Sequence, residues 1–250
     1  MSTRRYSPVA LPHISFDSCT PGLRRRLLAK SPLFGDLDDA AVGDVDRHLT
    51  DTGYRPVETI IREGDEAERF FIVALGMVKL FRSTESGDDV LLDVLGPGDH
   101  FGSLAGFGPS RYPETAVALS TVCALNMGAE EFRRVLEKHS DVALRTVEAL
   151  SGRLGLAHDL VAQLGRRPAK ERIAYVLHRL AGKFGRRWEG QFLIDVPLAR
   201  EELASMAGTT TETCSRVLSQ LHKQGVLTAG RGWVALSSSD ALRDLLPGSE

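Results

Sequence analysis

The segment from Leu198 to Leu221 constrains this chain most, because its small and apolar residues fall where two short helices and a tight turn need them. Leu203, Ala204 and Ala207 share one face of a first helix. Gly208 follows at the point where the chain must turn sharply, and glycine readily adopts the positive φ that such a turn requires. The segment therefore predicts a helix-turn-helix.

The second predicted helix has an apolar face and a polar face. Its apolar positions recur at spacings of three and four and are Cys214, Val217, Leu218 and Leu221. The polar face carries Glu212, Ser215 and Arg216. Arginine donates a fork of hydrogen bonds to guanine, and a carboxylate accepts one from the cytosine amino group, so this face is predicted to read base edges in DNA. The preceding residues supply the helix cap and suit phosphate contacts; they are Thr209, Thr210 and Thr211.

An ordinary helix pair within a core is the alternative, and two neighbouring features count against it. Glycine-bounded runs at residues 225–228 and 232–236 predict a short hairpin, the wing of a winged helix. Residues 166–235 hold twelve Lys and Arg against six acidic residues, whereas residues 1–165 hold eighteen against twenty-four. A basic module beside an acidic remainder favours a phosphate-rich partner, which here is double-stranded DNA.

Composition sets the broad class of the protein. The chain has 250 residues, 42% of them hydrophobic, which is enough for two cores. No apolar run approaches the roughly 20 residues that span a bilayer, and the start lacks the apolar block of a secretory signal, so we expect a cytoplasmic protein without a membrane partner. Cys19, Cys123 and Cys214 are too few and too scattered for a disulfide framework.

Regularly spaced glycines mark the middle of the chain. Gly53, Gly64, Gly76, Gly87 and Gly98 lie eleven or twelve residues apart, with short β-rich runs between them. Repeated strand and turn at this spacing predicts a small barrel or sandwich that extends to about residue 125.

A long helix is predicted from residue 141 to residue 164. Apolar residues recur there at alternating spacings of four and three, as in the seam of a two-chain coiled coil. The predicted dimer interface consists of Val147, Leu150, Leu154, Ala157 and Val161. A helix that packs on its own domain is the alternative. The dimer is favoured because a helix-turn-helix usually reads two half-sites through two-fold symmetry.

These predictions combine into an α+β fold with four parts. Residues 1–29 form a flexible amino-terminal arm, and residues 30–138 form a β-roll of the double-stranded jelly-roll type. Residues 139–165 form the dimerisation helix, and residues 166–250 form the winged helix-turn-helix domain.

This arrangement of roll, long helix and winged helix resembles the CRP/FNR family of bacterial transcription regulators over about residues 33–246. Residues 212–216, Glu-Thr-Cys-Ser-Arg, resemble the E-x-x-S-R pattern of the FNR branch, and Thr211 stands where the cyclic AMP receptor branch has an arginine. The resemblance implies a homodimer that reads a TTGAT-like palindrome through Glu212, Ser215 and Arg216. It also implies RNA polymerase as a partner.

Cyclic-nucleotide binders of this family hold the ribose with the glutamate of G-E-L-A/G and the phosphate with the arginine of R-S/T-A. This chain has Gly102 and Ser103 in the first motif and Glu114 and Thr115 in the second. The ribose carboxylate is missing, and Glu114 replaces attraction for phosphate with a repulsion of about 1 to 4 kcal/mol at contact distance. We therefore expect no cyclic AMP effector; a cyclic-nucleotide-responsive regulator is the alternative.

The FNR branch holds a [4Fe–4S] cluster with three amino-terminal cysteines and one in the roll. Cys19 resembles one of the first set and Cys123 stands at the roll position, but the other two are absent, and such a cluster normally takes four thiolates. A disulfide between Cys19 and Cys123 is a switch that needs no cofactor. In the alternative, Cys123 is a small apolar residue in a strand. Cys214 is predicted to be core.

Other functions rest on weaker patterns. His100 is the candidate for haem or nitric oxide sensing, since some relatives use a histidine; the alternative is a surface or capping residue. The sequence has no G-x-S-x-G elbow, phosphate-binding loop, H-E-x-x-H or clustered metal-ligand spacing, so we expect neither an enzyme nor an assigned metal site. A cyclic-nucleotide module serving another protein is disfavoured by the wing and the basic carboxyl-terminal part.

Overall fold

The computed structural model describes residues 7–9, 20–85, 87, 89–102 and 110–246. They form two compact units, one built mainly from residues 20–87 and 92–157 and the other mainly from residues 158–246. Helices and antiparallel sheets give the predicted α+β fold. Among these described residues, no helix combines the length and the apolarity that a membrane crossing demands.

The first unit is a β-roll of two four-stranded sheets. Its strands are β1 (Thr50–Tyr54), β2 (Thr59–Ile61), β3 (Arg69–Leu75), β4 (Val78–Ser83), β5 (Asp89–Leu95), β6 (His100–Gly102), β7 (Thr115–Ala118) and β8 (Val122–Gly128). One sheet has the order β1-β8-β3-β6 and the other β2-β7-β4-β5. The predicted turn at Gly76 has φ 83°, and a β-carbon there would collide with the carbonyl oxygen of Thr121.

Strand β3 is buried on both faces. Phe71 and Val73 pack in the apolar layer between the two sheets. Phe70 and Ile72 pack in a second layer, on the face that the helices cover. Successive side chains of a strand point to opposite faces, so this one strand belongs to both layers.

The helices of this unit are α1 (Pro21–Leu28), α2 (Asp39–His48), α3 (Ala129–Lys138) and α4 (Ser140–Arg166), whose end lies in the second unit. Phe132 of α3 stacks on Phe70, with 4.1 Å between the ring centroids. Helix α4 is the long helix that the sequence predicts, and it ends two residues before Pro168.

Helix α1 corrects the predicted amino-terminal arm, which runs to residue 29. In the structure Leu27 and Leu28 are buried in the helical layer, so the arm prediction is wrong for residues 21–28. Arg24 holds the helix against its neighbour: it bonds Asp46 at 2.9 Å and donates to the carbonyl oxygen of Leu49 at 2.7 Å. A short basic segment does not reveal such distant partners.

The second unit is a winged helix. Its elements are α5 (Ala169–Phe184), β9 (Gly185–Trp188), β10 (Gln191–Ile194), α6 (Arg200–Met206), α7 (Thr211–Lys223), β11 (Leu227–Gly230) and β12 (Trp233–Leu236), and its sheet has the order β11-β12-β10-β9. Ile173, Leu193 and Leu218 are buried in its core. Helix α5 and the hairpin β9–β10 are absent from the sequence prediction, which covers only the helix-turn-helix and the wing.

Candidate functional site

The turn between α6 and α7 has the predicted geometry. Gly208 has φ 56°, and its amide donates to the carbonyl oxygen of Ser205 at 3.0 Å. The next amide, of Thr209, donates to Ala204 at 3.0 Å. These two bonds close the end of α6 and direct the chain into α7 within four residues.

Helix α7 separates a buried face from an exposed one. The four residues of the predicted apolar stripe are all buried; they are Cys214, Val217, Leu218 and Leu221. Thr211, Glu212 and Arg216 are exposed, and Ser215 is half-buried. The stripe fixes the helix to its unit and leaves the predicted base-reading face free for a partner. Cys214 is a buried free thiol and therefore belongs to the core, as predicted, and this burial raises the pKa of the thiol to about 11.

Thr210 is the residue that caps α7. Its hydroxyl oxygen accepts from the amide of Thr213 at 3.2 Å. Thr209 is half-buried and precedes the cap, whereas Thr211 is the first helical residue. The first amides of a helix lack partners within the helix and carry partial positive charge, so this exposed end favours phosphate.

The predicted wing is the hairpin β11–β12. The two strands pair antiparallel, with Leu227 opposite Leu236 and Gly230 opposite Trp233. Arg231 is exposed in the turn between them. The wing therefore adds one exposed cation to the unit that carries α7.

Helix α4 presents two apolar faces. Val142 and Thr146 are buried against their own unit, and Ala149 packs on the same core. The predicted seam lies on a different face and stays exposed: Val147 is 60%, Leu150 42%, Leu154 57% and Val161 67% accessible, and Ala157 is exposed too. Packing on its own unit thus uses one face and leaves the seam uncovered.

Glu114 lies in a charged part of the roll. It is half-buried, and burial raises its pKa, while the positive charges of Arg153 and Arg82 act in the opposite direction. Arg82 also pairs with Glu63 at 3.2 Å. The hydroxyl of neighbouring Thr115 accepts from the amide of Glu63 at 3.0 Å. Gly102 lies at the end of β6 with φ 88°.

His100 is 5% accessible, so the alternative of a surface residue is wrong. It lies opposite Ile72 in the sheet, and its ring centroid is 5.9 Å from that of Phe70. Directly opposed residues share a face, so His100 lies on the helix-covered face and not between the sheets. Its carbonyl oxygen accepts a hydrogen bond from Arg153.

The cysteines differ in their bonding. Cys123 is buried in β8 opposite Gly53, and it is disulfide-bonded. Cys214 is a free thiol. Cys19 and Ser103, both predicted sensor residues, lie outside the described residues. Within the described ranges, no three His, Cys, Asp or Glu side chains gather as a metal site requires.

Sequence reasoning missed the contribution of α5. Its apolar residues recur at spacings of three and four, which is the signal that could have revealed it; they are Ile173, Val176, Leu177 and Leu180. Arg172 in the first turn donates to the carbonyl oxygen of Gly208 at 3.1 Å. This helix therefore touches the turn that precedes α7.

Comparison with known proteins gives a counterpart for each unit. The cyclic nucleotide-binding domain matches residues 52–139, and the Crp-like helix-turn-helix domain matches residues 171–245. The cyclic AMP receptor protein of Thermus thermophilus is 31% identical over 219 residues, 86% of this chain and 96% of that protein. The fumarate and nitrate reduction regulatory protein of Escherichia coli K12 is 26% identical over 192 residues, 75% of each chain. The structure of FixK2 from Bradyrhizobium japonicum is 28% identical with a TM-score of 0.71, covering 80% of this chain and 98% of that one.

Proposed function

The chain belongs to the CRP/FNR family of transcription regulators, and from this membership we propose that it binds double-stranded DNA as a homodimer, with one α7 at each half-site. The observation that carries the proposal is the exposed face of α7. Glu212 and Arg216 project from a helix whose other face is fully buried. A base-reading helix needs this rigid support, because its side chains must be held in place to discriminate between base pairs.

The test is a titration of the purified protein with a duplex that carries two inverted TTGAT half-sites. Fluorescence anisotropy measures the binding at one fixed salt concentration. The half-site follows from the FNR-like pattern of residues 212–216. We expect binding about 1,000-fold or more tighter than to a scrambled duplex of equal length and composition. Equal affinity for the two duplexes would contradict sequence-specific recognition.

Homodimerisation is supported by the exposed seam of α4. Leu154 and Val161 are 57% and 67% accessible in the single chain. Large apolar side chains that recur along one helix face and remain exposed indicate a partner surface. Two-fold symmetry would then present two copies of α7 to an inverted repeat.

We propose a redox signal for the roll, carried by a disulfide between Cys19 and Cys123. Support comes from the disulfide-bonded state of Cys123 and the free thiol of Cys214, the third cysteine of the chain. Disulfides in intracellular proteins are usually transient and either catalytic or redox-sensing. A bond to residue 19 would couple the amino-terminal segment to β8 under oxidising conditions.

The redox proposal predicts different DNA affinities in dithiothreitol and in diamide. We expect a difference of about 5- to 150-fold, the usual range of coupling between two sites. The Cys19→Ala variant is expected to bind equally under both conditions, and Cys214→Ala, which removes the free thiol, is expected to keep the difference. Equal affinity of the wild-type protein in dithiothreitol and in diamide would rule out the switch.

Cyclic AMP is not the effector in this proposal. The cations of this part of the roll already have partners, since Arg82 pairs with Glu63 and Arg153 donates to the carbonyl of His100. Glu114 adds a carboxylate where a phosphate would have to bind. In the duplex titration above, millimolar cyclic AMP is therefore expected to leave the affinity unchanged, and a clear gain would contradict this assignment.

Haem and iron–sulfur chemistry fit the described residues poorly. His100 lies on the helix-covered face of β6, where it cannot ligate a group held between the sheets. A four-thiolate cluster needs more cysteines than the three in this chain, of which Cys123 is disulfide-bonded and Cys214 is a buried thiol in the other unit. Neither group is part of the proposed mechanism.

A further inference from the structure

The amino-terminal end of α5 contacts the loop that joins α6 to α7. The Nη2 atom of Arg172 donates to the carbonyl oxygen of Gly208 at 3.1 Å. The two residues are 36 positions apart in the chain, so the contact depends on the packing of α5 against α7. Ile173 and Val176 of α5 are buried in the same unit.

The carbonyl of Gly208 lies outside the hydrogen-bond ladder of α7. The first helical bond of α7 runs from the amide of Cys214 to the carbonyl of Thr210 at 2.9 Å. The amide of Gly208 already donates to Ser205 within α6. Arg172 therefore supplies a donor from a third helix to this turn, and hydrogen bonds from a charged donor are roughly twice as strong as neutral ones.

A second contact lies at the other end of α7. Lys170, two residues before Arg172, donates to the side chain of Gln224 at 3.5 Å, and Gln224 is the C-cap of α7. Arg167 pairs with Glu171 at 2.8 Å across the junction between α4 and α5. The start of α5 thus contacts the turn before α7 and the C-cap of α7.

We propose that Arg172 is a positioning residue for DNA recognition. Its bond to Gly208 fixes the turn between α6 and α7, and with it the direction in which α7 presents Glu212 and Arg216. The inference rests on the proposed DNA-binding function. It assigns to α5 a role that neither its sequence position nor the exposed face of α7 indicates.

The experiment compares Arg172→Met and Arg172→Lys with the wild-type protein. Methionine keeps the apolar stem and removes the donor, whereas lysine keeps the charge and one donor. We expect Arg172→Met to bind the inverted-repeat duplex about tenfold more weakly, with less than a twofold change on the scrambled duplex, and Arg172→Lys to recover part of the loss. Arg179→Met is the matched control, because it removes the same charge about 10 Å further along the same helix.

Hydrogen–deuterium exchange gives a readout that does not depend on DNA. Amides of residues 208–214 are expected to exchange faster in Arg172→Met than in the control, at an unchanged thermal midpoint. Unchanged exchange would overturn the proposal, and so would an equal loss of affinity on both duplexes. If the wild-type protein binds no duplex specifically, the DNA-binding function fails, and the exchange data alone decide whether Arg172 holds the turn.

Discussion

Replacing Arg216 by alanine is expected to weaken binding to the inverted-repeat duplex by about 1 to 3 kcal/mol and to relax the choice at one base pair. Arg216 is exposed on α7, one turn after Glu212, so its guanidinium is free to donate a fork to a guanine edge. Removing an exposed side chain leaves the buried stripe intact, so the fold should be unaffected. The measurement is the affinity for duplexes that carry each of the four base pairs at every half-site position.

Lys223→Ala is the matched control for this prediction. Lys223 is an exposed cation in the last turn of the same helix, about 10 Å further along its axis. Any loss in this variant should be equal on specific and scrambled duplexes, as expected for phosphate attraction. The base-reading role of Arg216 is refuted if its alanine variant behaves in the same way.

A still larger effect is expected from Leu154→Glu, which places a charge in the centre of the exposed seam of α4. The protein should become monomeric, and its affinity for the palindromic duplex should fall by about 100-fold or more, because a monomer loses the gain from binding two linked half-sites. Leu154 is 57% accessible in the single chain. The substitution should therefore leave each protomer folded.

Sedimentation equilibrium measures the mass of the variant, and circular dichroism checks its helix content. Ala162→Glu is the control, because it adds the same charge to the same helix at an exposed position about 100° around from Val161. This control should remain a dimer. A dimeric Leu154→Glu protein would show that the seam is not the interface.

The elements that sequence reasoning predicted are those that form because of residues close together in the chain. Gly208 turns the chain because of its own backbone freedom, and Val217 and Leu218 define the buried face of α7 by spacing alone. Each of these features depends on residues within a few positions, so a single sequence is enough to reveal it.

The features that sequence reasoning missed depend on distant partners. Leu28 is buried because α1 packs on the roll, and Arg24 reaches residues more than twenty positions away. His100 is paired with Ile72 across the sheet and so lies on the face that the helices cover. The bond from Arg172 to the turn at Gly208 joins residues that are 36 positions apart in the chain.

Strand β3 links the two apolar layers of the roll, because it is buried on both of its faces. Phe71 faces the layer between the sheets, and Phe70 faces the layer beneath α3. Close-packed interiors resist compression, so a shift of the strand moves both layers at once. A displacement of β3 on its inner face therefore also displaces the side chains on its helix-covered face. No loop is needed to connect the two layers.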